Sequence, residues 1–215
     1  MKILKYAGAA AALALTMGMA SVATADTYHL TVDGSSTGLG GDGDYGTVTV
    51  TTIANGLDFV VALDSNTEFM NTGGHTTFAF TLNGDTGQQL VFSSVTGWTS
   101  AGPGSFPDPS IGSFEYGLEC TTACPGPVGN NTQNLHFTIT GTSGTVLTLA
   151  GITAGGTNTT VYGAADLRNR LNSATGAVGF TAGGVPEPAT WAMMILGLGM
   201  VGAGMRMRRR SPMLA

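Results

Sequence analysis

The sequence predicts an all-β fold, a single antiparallel β-sandwich of jelly-roll type with about eight to ten strands. Three observations predict it. Apolar and polar residues alternate in short runs, as at Tyr28, Leu30 and Val32, at Leu57, Phe59, Val61 and Leu63, and at Phe78, Phe80 and Leu82, the pattern of half-buried strands. Gly, Asn, Asp and Pro punctuate those runs, with Asn55-Gly56 and Asn83-Gly84 as tight-turn signals. Thr, Gly and Ser dominate the remainder, β-branched and aromatic residues supply the apolar content, and no helical period repeats.

Taken in chain order, the first element is a cleavable secretory signal over residues 1–25. Lys2 and Lys5 form its positive end, residues 6–19 its apolar core, and Ala23 and Ala25 the small-residue cleavage site, so that Asp26 begins the mature chain. The body, residues 26–184, is one domain, long enough to bury a core of its own. Beyond the three alternating runs, strands are expected at 46–53, 89–95, 114–120, 134–140 and 145–152. Residues 164–171 have the propensity for two helical turns. Gly183-Gly184-Val185 is a short flexible linker.

Between residues 26 and 184 there are twelve acids and only two bases, Arg168 and Arg170, giving a net charge of −10 with no lysine. Phosphate binding needs clustered Lys or Arg, so nucleic acid is excluded as a partner.

Cys120 and Cys124 are the only cysteines, and Pro125 and Pro127 place Cys124 in a loop. In an exported chain a local disulfide is the leading reading. A zinc site is the alternative, but it needs four ligands and the nearest histidine, His136, has no companions. The loop Gly40-Gly41-Asp42-Gly43-Asp44-Tyr45-Gly46 approaches a calcium-binding repeat, yet Tyr45 stands where the repeat needs Asp and the motif occurs once. A plain turn fits it better, and no metal or cofactor is expected.

Catalysis finds little support. His29, His75 and His136 are scattered along predicted strands as rim residues, and no serine sits in a G-x-S-x-G elbow. Asp58, Asp64, Glu115 and Glu119 read as solvated strand edges, and a hydrolase would need two carboxylates facing each other in one cleft. Trp98 is a core or rim residue with the alternative of stacking on a sugar from a loop. Thr47, Thr49 and Thr51 form one hydroxyl row, but a flat ice-binding surface needs several rows in register and the chain has no fixed-period repeat.

The last segment, residues 185–210, is an address. Pro186 and Pro188 hold Glu187 in extended backbone. Residues 189–205 carry no charge and, as a helix of about 25 Å, fall slightly short of a hydrocarbon core of about 30 Å. Trp191 marks the outer interface, and Arg206, Arg208, Arg209 and Arg210 retain the other end in the cytoplasm. Gly197, Gly199 and Gly202 spell G-x-G-x-x-G without the strand and helix of a dinucleotide site, and suit close helix packing in the membrane instead.

Pro186-Glu187-Pro188, Trp191-Ala192, the apolar span and the arginine cluster resemble the PEP-CTERM sorting domain of Gram-negative bacteria, in its variant with Trp-Ala after the motif. An ordinary C-terminal anchor is the alternative. The same segment is also described as an ice-binding protein C-terminal domain, which by itself implies no ice binding. In that family a membrane-embedded exosortase cuts at the Pro-Glu-Pro region and passes the protein to the cell surface or an exopolysaccharide matrix. The resemblance also bears on residues 162–167, since proteins with this tail close on a strand reading like Phe-Ala-Ala-Asp-Ile followed by a Thr-Gly turn, so a strand is expected there rather than a helix.

The expected protein is therefore non-enzymatic, exported, anchored briefly in the inner membrane, and structural or adhesive at the surface or in the matrix. A carbohydrate- or calcium-binding module is the alternative, with ice binding and a secreted hydrolase behind it.

Overall fold

The computed structural model describes residues 24–34, 38–40, 43–84, 90–108, 110–121, 124, 134–141, 146–155, 159–183, 194–195 and 198. The described chain is all-β and antiparallel. Its strands are β1 (Ala25–Asp33), β2 (Gly46–Ile53), β3 (Gly56–Leu63), β4 (Thr67–Phe69), β5 (Phe78–Phe80) and β6 (Leu82–Asn83). There follow β7 (Val91–Phe92), β8 (Trp98–Ala101), β9 (Phe106–Asp108), β10 (Gly112–Phe114), β11 (Tyr116–Cys120) and β12 (Asn134–Thr140). The last are β13 (Thr148–Leu149), β14 (Ile152–Thr153), β15 (Thr160–Val161), β16 (Gly163–Asn169) and β17 (Thr175–Ala182).

These seventeen strands exceed the roughly eight to ten expected, because short strands such as β4, β8, β9 and β15 lie outside the predicted runs and three of those runs change partners midway. The run through Phe78, Phe80 and Leu82 divides into β5, on β16 and β11, and β6, on β13. Residues 114–120 break at Glu115, since β10 pairs with β9 whereas β11 pairs with β5 and β8. Residues 145–152 break between β13, which pairs with β6, and β14, which pairs with β15. The run at 89–95 contracts to β7, although Ser93 continues its pairing by donating from its amide to the Thr138 carbonyl. The strand expected at 162–167 is present as β16, shifted to Gly163–Asn169.

One antiparallel sheet carries most of the chain, in the order β7-β12-β3-β2-β1-β17-β16-β5-β11-β8, with β4 also on β16. It curls until its ends approach each other, with the rings of Phe92 on β7 and Tyr116 on β11 at 6.1 Å. Alternation explains the inside. Leu30 on β1, Val48 and Val50 on β2, Phe59 and Val61 on β3 and Phe137 on β12 meet Phe78, Phe80 and Phe180 from the other half. Phe59 packs on Phe137 at 4.7 Å and on Phe80 at 5.0 Å, and Phe78 stacks on Phe180 at 5.7 Å. Gly163 lies against the Phe180 ring and the Ala79 carbonyl, where a Cβ would have no room.

A second, smaller core lies on the outer face. Ala79, Ala164 and Ala177 are small there, and Gly117 and Gly179 have no side chain, so the β9–β10 hairpin lies close against the sheet with Ile111 and Phe114 buried beneath it. That explains why β16 and β17 are buried on both faces.

The first and last strands pair with each other. Tyr28 lies opposite Ala182, and the Gly183 amide donates to the Thr27 carbonyl at 3.0 Å, so the chain enters and leaves the body side by side. Ala25, expected as the last residue of the signal, already lies in β1 opposite Thr51. Of the flanking segments, residues 1–23 and most of the tail lie outside the described residues. Met194, Ile195 and Leu198 are helical and exposed, and among the described residues no helix is long and apolar enough to cross a membrane.

Phe137 touches both halves of the aromatic core, so Phe137→Ala should cost about 3–5 kcal/mol. Val146→Ala, at an exposed position, should cost under about 0.5 kcal/mol. Chemical denaturation of the two variants measures the difference.

Candidate functional site

Three surface features and one buried cluster emerge from this frame. The first is the gap between the two free edges of the sheet. β7 and β8 leave a common turn, closed by the Trp98 amide on the Val95 carbonyl, and then join opposite halves of the sheet. The divergence opens a cleft of about 290 Å³ lined by Phe92, Ser93, Ser94, Val95, Trp98, Thr99, Ser100 and Leu118. Trp98 stands half-buried in it, its ring edge-on to Phe69 at 5.2 Å. Four hydroxyls around an aromatic wall suit a polar ligand with an apolar face, as a sugar ring is.

The second is a cavity of about 300 Å³ lined by Gly40, Asp44, Tyr45, Asp64, Asn66, Thr67, Asn169 and Leu171. It includes part of the loop that approaches a calcium repeat. Its two flanks are tied down: Asp33 accepts from the Leu39 amide at 2.7 Å and from the Tyr45 hydroxyl at 3.2 Å, and Asn169 donates to the Leu39 carbonyl at 3.0 Å. Asp42 lies outside the described residues. Among the described residues, no three His, Cys, Asp or Glu side chains are grouped to hold one metal ion.

The third is the threonine row. Register places Thr27 of β1 beside Thr49 of β2, but on the other side Thr47, Thr49 and Thr51 face Ala62, Val60 and Asp58 of β3. The hydroxyl rows therefore do not repeat across the sheet.

The cystine joins Cys120, the last residue of β11, to Cys124 with Cα atoms 5.6 Å apart. With only four residues of separation, the entropic stabilisation comes to about 2 kcal/mol. Its local effect is to fix the end of β11, whose carbonyl at Cys120 accepts from the Asn71 side chain at 2.7 Å.

The buried cluster escaped the sequence reading. Asp108 at the end of β9 and Asp166 in β16 are both fully buried, and Glu119 of β11 and His75 lie close enough to act on them electrostatically. Asp166 Oδ2 accepts from the Thr72 hydroxyl at 2.6 Å and amide at 3.2 Å. Asp166 Oδ1, both oxygens of Asp108 and His75 Nδ1 make no hydrogen bond, and His75 Nδ1 stands 3.7 Å from Asp108 Oδ1. Burial pushes Asp108 up to about 8, and the negative charges of Asp166 and Glu119 add to that. The Thr76 amide, near but not in good hydrogen-bond geometry, opposes it slightly. Burial also raises Asp166, against the pull of the Thr72 hydroxyl, of His75 and of the Thr72 amide.

All three histidines thus sit beside an aspartate, with His29 at 3.3 Å from Asp44 and His136 at 2.8 Å from Asp58. Asp58 and Glu119, expected as free solvated edges, are engaged, Glu119 accepting from the Thr77 hydroxyl at 3.1 Å. Both bases of the body converge on one buried carboxylate, Glu68, at 3.5 Å from Arg168 and 3.9 Å from Arg170.

The signal residue Ala23 and the tail residues Pro186, Glu187, Pro188, Trp191, Ala192, Arg206, Arg208, Arg209 and Arg210 lie outside the described residues, whereas Ala25 and Asp26 are exposed at the start of β1. Comparison with curated proteins and with solved structures gave no match. A family model of the PEP-CTERM protein-sorting motif does match, directly after β17 and the glycine that follows it. Over residues 184–210 the chain carries a PEP-CTERM protein-sorting motif, the mark of an exported protein that an exosortase processes.

Proposed function

We propose that this chain is a non-enzymatic structural or adhesive protein of the cell surface or extracellular matrix. Its signal, residues 1–25, directs export, the span 189–205 tethers it in the inner membrane with Arg206 to Arg210 inside, and an exosortase-like enzyme releases it near Pro186-Glu187-Pro188. The observation that carries this reading is the sorting motif at 184–210, which follows the last strand almost without a linker. A body that ends where the address begins is suited to being cut free intact. The curled sheet acts as a jelly-roll-like sandwich whose halves face each other across Phe59 and Phe80. A structural role is further supported by the position of the carboxylate pair Asp108 and Asp166, which lies beneath a hairpin instead of at an open cleft.

A second reading, a carbohydrate-binding module, is favoured by the cleft between β7 and β8. Trp98 supplies a stacking surface and Ser93, Ser94, Thr99 and Ser100 the hydrogen bonds. It is compatible with the first, because contact with exopolysaccharide is one way to adhere.

Two experiments test these readings. Glu187→Ala should leave the uncut chain, arginine cluster included, in the inner-membrane fraction, while the unaltered protein reaches the surface; unchanged surface release would sink the sorting mechanism. On a glycan array with and without calcium, the released protein should bind neutral glycans irrespective of calcium, and Trp98→Ala should weaken binding by about two- to tenfold, the loss of one stacked ring worth roughly 0.5–1.5 kcal/mol. Equal binding by both proteins would remove the cleft from the account.

A further inference from the structure

The β9–β10 hairpin covers the outer face of β17, β16, β5 and β11 by apolar contact everywhere except at one end. Ile111 and Phe114 sit on Ala79, Ala164 and Ala177, and Phe106 lies on Gly117. At the remaining end Asp108 is carried down onto the sheet with no exposed surface. The titratable groups that face it come from every element around it: Asp166 from β16, Glu119 from β11 and His75 from the segment before β5. Three carboxylate oxygens there, Asp108 Oδ1 and Oδ2 and Asp166 Oδ1, receive no hydrogen bond.

An ionised carboxylate without donors cannot remain in such a place cheaply. It must hold a proton or regain water, and lifting the hairpin that carries Asp108 would admit water to it. We propose that the β9–β10 hairpin is a proton-held cover, closed over the sheet while the Asp108 carboxyl it carries down is protonated and loosened as that carboxyl ionises. Loosening would bare the second apolar core to solvent and, in a step that rests on the adhesive reading proposed above, would control the exposure of an apolar contact surface.

The direction follows from the proton balance. In the open state Asp108 titrates near its ordinary value of 3.8, and in the closed state near 8. The closed form therefore binds more protons throughout that interval, and its advantage is complete below the lower value and lost as pH rises to the upper one. Above it the two states bind protons alike, and the loss levels off.

Hydrogen exchange by mass spectrometry on the exported protein, normalised at each pH to the same peptides unfolded, tests this. Protection of residues 106–114 should fall about tenfold per pH unit between pH 5 and 7, the slope of one proton, and flatten above about 8, while that of β2 and β3 stays constant. Asp108→Asn, which cannot ionise, should remove the slope. A wild-type hairpin with no such slope, or the same slope in the variant, overturns the proposal. So does calcium that closes the hairpin at pH 8, since the free oxygens would then serve a metal. Should Asp108→Asn not fold, infrared spectroscopy of the unaltered protein decides: a protonated-carboxyl band at pH 7 that disappears around pH 8 supports the proposal, and its absence at pH 7 overturns it.

Discussion

Backbone pairing between β1 and β17 joins the two halves of the sheet at the very residues where the chain enters and leaves the body. Without it, β2, β3, β12 and β7 would form one open sheet, and β16, β5, β11 and β8 another. Each would bare half of an aromatic core. Phe180 of β17 stacks on Phe78 and meets Tyr28 of β1 edge-on at 5.8 Å, so the pairing also assembles the rings around which the sheet curls. Contacts of such long sequence separation form slowly, so closure of the sheet is a late event in folding.

The outer layer depends on the absence of side chains. Ala164, Ala177 and Ala79, together with Gly117 and Gly179, leave a shallow face on the sheet, and the β9–β10 hairpin fills it. The same approach brings Asp108 beside Asp166 and Glu119. Elsewhere the acidic body settles its buried charge by pairing, as Glu68 does with Arg168 and Arg170. No arginine or lysine of the body is left for Asp108 and Asp166, which have His75 as the base beside them.

Much of this fold was legible in the chain because the core obeys a period of two. Val48 and Val50 among threonines mark β2 to its ends, and Phe78 and Phe80 mark β5. At residues 164–171 local propensity favoured two helical turns and only the resemblance pointed to a strand; the strand that forms, β16, is buried on both faces, which local propensity does not register. Partner exchange at Glu115 was not legible, since nothing local distinguishes a strand that changes sheets from one that continues. Asp108, between Pro107 and Pro109, reads as an ordinary turn residue, and its meeting with Asp166 depends on two elements far apart in sequence. A signal was nonetheless present at Asp166, a lone charge among Ala164, Ala165 and Leu167 in a run otherwise fit for complete burial. The sorting motif is the opposite case: a linear signal read by an enzyme, with its meaning carried by residue order alone.

In the reading proposed above, a nearly closed sheet whose sorting motif begins just past its last strand is cut free without loss of structure. The intact mass of the protein recovered from the cell surface measures this directly. The account predicts a chain that begins at Asp26 and ends within or before the Pro186-Glu187-Pro188 segment, with no free thiol. A surface protein that still carries Arg206 to Arg210 would contradict it.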